Sequence, residues 1–233
     1  MVRLRLFGHM GVDDGAGKTL LPRGRKARAT LAILALAAPR PVLCLQLTAL
    51  LWSQREKEQS RASLRQVVHE IQDCLGRVDG AVLRAERHHL ALNQSLVAID
   101  VLDLLHAEAP GPETLRAFET PLLEDLVGLD QAFDQWLSEE RTRVLNLACG
   151  LGDRMLDRLP RGDDTLAVAD RIIALDATHE RAWRAIMAVH HERGDRAAAM
   201  TAYDRCRSAL VSAGRDGPTA DTEDLASRIR SNQ

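Results

Sequence analysis

Residues 59–76, QSRASLRQVVHEIQDCLG, set Arg61, Arg65, Gln66, His69 and Gln72 against an apolar stripe of Leu64, Val68, Ile71 and Leu75. The stripe has the period of one helical face. Arginine, glutamine and histidine are side chains that hold phosphate oxygens or bond base edges, so the chemistry available here is recognition of nucleic acid rather than bond making. An ordinary surface helix also carries a polar outer face, so the stretch alone leaves both readings open. Gly76 stands where a helix C-terminus takes a left-handed residue.

Other residues that could do chemistry lack the spacing for it. Gly17-Lys18-Thr19 resembles the end of a phosphate loop, but that motif needs glycine at position 12, where Val12 stands, and Gly11 misses by one. It also needs a helix beginning at the lysine, whereas Thr19-Leu20-Leu21 runs into Pro22. His88 and His89 are adjacent on a strand and point to opposite faces, so one ion cannot easily take both. Cys44, Cys74, Cys149 and Cys206 form no paired spacing and read as small buried hydrophobes. Glu139-Glu140 and Asp163-Asp164 are neighbours on helices or turns, where charge is usually solvated. With no nucleophile, base and orienter recognisable, neither catalysis nor a cofactor is expected.

The elements that must position the polar stripe follow from pattern. The chain has 233 residues, 45% hydrophobic and 27% charged, which suits a globular protein of two small domains. Its charge is unevenly shared: residues 1–93 hold 15 Lys+Arg and 8 Asp+Glu, whereas 94–233 hold 16 and 25. A basic front half favours a polyanion-binding module, and an acidic back half one that faces proteins or nothing at all. No apolar run reaches membrane-spanning length without charge, and Arg3 and Arg5 interrupt the start, so a cytoplasmic protein without membrane association is expected.

Val2, Leu4 and Leu6 alternate with Arg3 and Arg5, predicting a strand in a small antiparallel sheet. Residues 25–38 are apolar nearly all round and predict a core helix closed by Pro39 and Pro41. Beside its start, Arg23, Arg25, Lys26 and Arg28 are either a phosphate contact or a solvated cluster. Residues 45–52 form a short helix with Leu47, Leu50 and Leu51 inward, and 53–58 a polar loop. Helix, loop and longer helix make a helix-turn-helix, with residues 59–76 as the DNA-recognition helix. Asp79-Gly80 marks a turn, and residues 81–85 and 89–92 flank the tip Glu86-Arg87-His88 as a hairpin. A basic hairpin in that place is a wing, and Arg84, Arg87 and His88 join the residues expected at double-stranded DNA.

Residues 96–100 predict a closing strand, and beyond them the chain is helical, over 114–118, 133–155, 165–175, 179–193, 196–212 and 221–230. A faint 34-residue period, with Thr165 and Ala169 echoed by Ala199 and Tyr203, predicts stacked helix pairs with a groove.

Trp52 after two leucines, then SRASLRQVVHEIQDCLG and the wing, resembles the OmpR-type winged helix of bacterial transcriptional activators of the antibiotic-regulatory-protein class. That class commonly has a Gly-Tyr pair where this chain has His88-His89, and a capping Ser or Thr where Cys44 stands. Leu123-Glu124, Phe133, Trp136-Leu137, Glu140-Arg141, Tyr203, Cys206, Pro218, Thr222 and Leu225 resemble the bacterial transcriptional activation domain that follows it in the same class. The expected fold is therefore mostly α with a small β component: a winged helix-turn-helix domain over residues 1–95 and an all-α tetratricopeptide-like domain over 96–233. The resemblance implies an activator that contacts RNA polymerase and binds tandem direct repeats as a homodimer. A scaffold with a degenerate, non-DNA-binding winged helix is the alternative. No phosphoacceptor receiver domain precedes the winged helix, so phosphorelay control within this chain is not expected.

Overall fold

The computed structural model describes residues 1–76, 81–108 and 110–231. Two compact units emerge, one of Met1–Ala107 with Thr120–Thr142, the other of Glu108–Glu119 with Arg143–Gln233.

In the first unit, β1 (Val2–Arg5) is the centre of a three-stranded sheet. It pairs antiparallel with β2 (Gly11–Asp13), Leu4 opposite Val12. The expected closing strand exists as β6 (Val97–Ile99), but it lies parallel to β1, Leu4 opposite Ile99, so this sheet is mixed rather than antiparallel. Asp100, the first residue of α4 (Asp100–Leu105), accepts hydrogen bonds from the backbone N–H groups of Leu6, Phe7 and Val101. Burial nevertheless pushes its carboxyl above the usual range, despite those donors. Gly17–Thr19 belongs to a turn folded onto Asp14, whose carboxylate accepts from Ala16 N and Lys18 N, and the next helix starts only at Arg25.

Helix α1 (Arg25–Ala37) is buried nearly all round, including Leu31, Ile33, Leu34 and Leu36. Each such side chain contributes about 1.5–3 kcal/mol on removal from water. Thr30 is tolerated there because its hydroxyl donates to Lys26 O at 2.8 Å. After Pro41 comes β3 (Val42–Leu43), too short to leave a period in the sequence. It leads directly into α2 (Cys44–Leu51), so the cap position is Leu43 rather than Cys44, and no side chain caps the helix.

Helix α3 runs from Lys57 to Leu75, two residues earlier than the pattern predicted. Its buried residues are Ser60, Leu64, Val67, Ile71 and Leu75; Val67 takes the inward place assigned to Val68. Gly76 is right-handed, with φ −66°, and its N–H donates to Gln72 O. The left-handed termination expected there is not adopted, because the chain simply continues the helical hydrogen-bond pattern. The predicted Asp79-Gly80 turn lies outside the described residues. Strands β4 (Leu83–Ala85) and β5 (His89–Leu92) form the hairpin, and β3 joins it as a third strand, Val42 opposite Leu90.

Residues 120–142 return to this unit instead of extending the helical one. Gly8 N donates to Pro121 O at 2.8 Å, Leu123 N to Leu6 O at 2.9 Å and Met10 N to an Asp125 carboxylate oxygen at 2.9 Å. Leu122, Leu123, Leu126, Phe133 and Leu137 are buried. The compact units place residues 120–142 with the front of the chain, whereas the resemblance implied a division at residue 95. Backbone pairing over more than a hundred residues places this segment, and such pairing has no local signature.

The second unit holds α5 (Pro112–Arg116), the part of α6 (Gln131–Arg158) from Arg143 onward, α7 (Asp163–Leu175), α8 (Glu180–Glu192), α9 (Arg196–Ser212) and α10 (Ala220–Ser231). Trp183, Met187, Tyr203, Cys206 and Ile229 build one core. Trp183 Nε1 donates to Ala177 O at 2.9 Å and the Tyr203 hydroxyl to Glu223 at 2.7 Å, so neither polar tip is left unpaired. Gly194, with φ +73°, makes the turn between α8 and α9.

Helices α6 and α7 meet at Gly152, where an added Cβ would lie 2.5 Å from Ile172 Cγ1. Gly152→Val should destabilise this unit by about 1–3 kcal/mol through overpacking, outweighing the modest gain of removing a helical glycine. Denaturant unfolding checks this; an unchanged midpoint would mean the helices separate at little cost.

Candidate nucleic-acid interface

Helix α3, the N-terminus of α2 and the hairpin enclose a groove of about 700 Å³. From α3 it is lined by Arg61, Arg65, His69 and Gln72, at spacings of four, four and three residues, with Leu64 and Val68 beneath. The stripe from Arg61 to Gln72 is about 16 Å long at the rise of an α-helix. The hairpin contributes Ala85, Glu86, Arg87, His88 and Leu90. The hairpin cannot drift from the helices, because β3 pairs with β5 and the Cys44 N–H donates to His88 O at 2.8 Å.

Arg61, Arg65, Arg87 and His88 are exposed, and among the described residues the three arginines have no ion-pair partner. His69 sits 3.5 Å from Asp73 one turn on, with both side chains exposed. His89 opens β5, half-buried and 2.8 Å from Glu86, whereas His88 is exposed in the hairpin bend before the strand rather than adjacent on it. Gln66 and Arg84 are exposed but lie outside the lining of this groove.

The basic run beside α1 is placed differently. Arg25 donates to Asp125 O at 3.1 Å and Val127 O at 2.8 Å. Arg28 donates to Pro22 O at 2.7 Å and lies 3.7 Å from Asp125. The Lys26 ammonium donates to Leu51 O and stands 4.9 Å from the Trp52 ring centroid. Burial, with Arg55 nearby, lowers its pKa. These three side chains bind their own unit, locking the start of α1 to the end of α2 and to residues 125–127. Arg25, like Arg23, is nonetheless exposed, and only part of its guanidinium is used by these contacts.

Two lining residues at the start of α2, Leu43 and Leu45, were not singled out from sequence. Leu43 and Leu45 are 55% and 66% exposed, which no period-based reading of a short apolar helix reveals. The signal available was their surplus, since a helix of eight residues has inward room for only three or so. Burial pushes the Cys44 thiol up in pKa, and the buried thiols of Cys149 and Cys206 are pushed up to about 11. The α2–α3 loop is fixed by Asp130, which accepts from Ser53 Oγ at 2.6 Å and Ser53 N at 3.0 Å.

Among the described residues no group of side chains has metal-binding geometry, and no helix is long and apolar enough to cross a membrane.

No curated protein matches the chain. Among solved structures, Mycobacterium tuberculosis EmbR in complex with a low-affinity phosphopeptide is similar in fold, with a TM-score of 0.69 at 20% identity. The similarity covers 100% of this chain and 65% of that one. The family described as "Bacterial transcriptional activator domain" matches residues 107–230, more than half of the sequence. A mostly helical chain with two small sheets, whose front half has the winged-helix order and whose back half carries that match, belongs to the bacterial transcriptional activator domain family.

Proposed function

We propose that the protein binds double-stranded DNA sequence-specifically, with α3 in the major groove and the hairpin tip on the adjoining backbone, and that it activates transcription. The observation that carries this is the convergence of Arg61, Arg65 and Arg87, all exposed and without ion pairs among the described residues, on one groove. A B-DNA major groove about 12 Å wide admits a single helix. The compact first unit is then the DNA-binding domain and the helical unit the part that dimerises or meets RNA polymerase. Two copies on tandem direct repeats would place half-sites about one helical turn apart, since both must meet the same groove face. A bacterial regulator working on chromosomal DNA would act in the cytoplasm.

A second reading rests on Leu43 and Leu45: two large exposed apolar side chains beside the stripe suit a docked protein as well. Titrating the full chain against bound genomic fragments over a range of salt separates the two. DNA binding should weaken linearly in log–log form, with a slope of about −0.9 per phosphate neutralised. A complex whose affinity ignores salt and sequence alike would favour docking.

A further inference from the structure

The back half of the chain is acidic, yet one groove in the helical unit is basic. Leu156 and Leu225 form part of an apolar floor, and Arg161, Arg181, Arg184 and Arg228 stand around it, enclosing about 460 Å³. The four arginines are not equivalent. Arg161 is paired with Glu192, and Arg181 with Asp157. Arg184 spends one nitrogen on the Thr222 hydroxyl at 3.0 Å. Against the effect of burial, and alongside hydrogen bonds from Thr222 and Thr219, its charge also helps to hold the nearby Glu180 carboxyl at a lowered pKa. Its other nitrogens make no hydrogen bond among the described residues, and exposed Arg228 has no ion-pair partner among them. Unused guanidinium donors beside leucines make a surface for a ligand that is at once acidic and apolar.

We propose that this groove binds an acidic peptide segment of a partner protein. Its Asp or Glu carboxylates bond Arg228 and the free side of Arg184, and an apolar side chain covers Leu156 and Leu225. Arginine suits this because its planar fork meets a carboxylate with two parallel hydrogen bonds. Duplex DNA fits less well, since it carries one charge per about 1.7 Å along its axis and would meet the surrounding acidic surface over a long contact. A short peptide meets only the groove. All the residues concerned belong to the second unit, so the proposal does not rest on the DNA reading.

The test uses the full chain and a fluorescein-labelled peptide of repeating Glu-Leu, followed by fluorescence anisotropy. Arg228→Glu should weaken binding about tenfold or more, because a like charge then faces the peptide. Arg184→Gln, which keeps a donor for Thr222, should weaken it in the same direction. Replacing Glu by Lys in the peptide should abolish binding, and replacing Leu by Ser should weaken it. Thermal melting should show both protein variants folded like the parent. An unchanged curve with Arg228→Glu, or equal binding of the Lys or Ser peptides, overturns the proposal. So does an equal loss of duplex binding in Arg228→Glu, which would assign the groove to nucleic acid.

Discussion

A fragment ending at residue 95 is expected not to fold, while one ending at residue 142 should unfold cooperatively. The shorter piece lacks β6, which pairs along β1, and Asp100, which holds the N–H groups of Leu6 and Phe7. It also lacks Leu123, Leu126, Phe133 and Leu137, all essentially fully buried. At about 1.5–3 kcal/mol for each side chain, their loss rivals the roughly 5–15 kcal/mol that holds a whole domain together. Circular dichroism with denaturant unfolding of the two fragments decides it. A cooperative transition of residues 1–95 at the same midpoint would show that the returning segment is an ornament rather than part of the unit.

Arg65→Ala is expected to cost about 1–3 kcal/mol on the preferred duplex and to relax discrimination at one base pair. Arg65 lies in the middle of the α3 stripe, exposed and without an ion pair among the described residues, so its fork is available to a guanine edge. Arg87 is at the hairpin tip, and Arg87→Ala should weaken specific and scrambled duplexes alike while reducing the salt slope by about one. Titrating both variants against both duplexes at several salt concentrations separates the roles. If Arg65→Ala shows the uniform loss, it grips phosphate, and Gln72 or His69 of the same stripe reads the base.

What could be read in advance was whatever depends on neighbours in sequence. The all-apolar α1, the amphipathic α3 and the hairpin around Glu86–His88 follow from period and turn residues, and each is present. The stripe itself was assigned one residue wrongly: Val67 and Val68 are both apolar at helical spacing from Leu64 and Ile71. Packing within the unit, not local pattern, decides which turns inward. Composition also could not distinguish two kinds of arginine. Arg25 and Arg28 look like Arg61 and Arg65 in a charge count, yet the first pair bonds backbone oxygens of its own unit and the second does not. Their partners lie at Pro22 and at residues 125–127, and the more distant ones are brought close only by the fold. The same holds for β3, two residues long, whose pairing with His89 and Leu90 fixes the hairpin against α2.

The discontinuity of the first unit has a consequence during synthesis. A chain leaving the ribosome completes the hairpin by Leu92, but β1 cannot gain its parallel neighbour, nor Leu6 its partner Leu123, until later residues emerge. At about 5–20 residues per second, the interval between residue 95 and residue 142 is on the order of 2–10 s. The edge of β1 is covered soon after residue 95, when Val97–Ile99 emerge, whereas Leu6 waits longer for Leu123, and Phe133 and Leu137 are added last. Nascent chains are thus open to chaperone capture or to pairing with one another while α3 is already made.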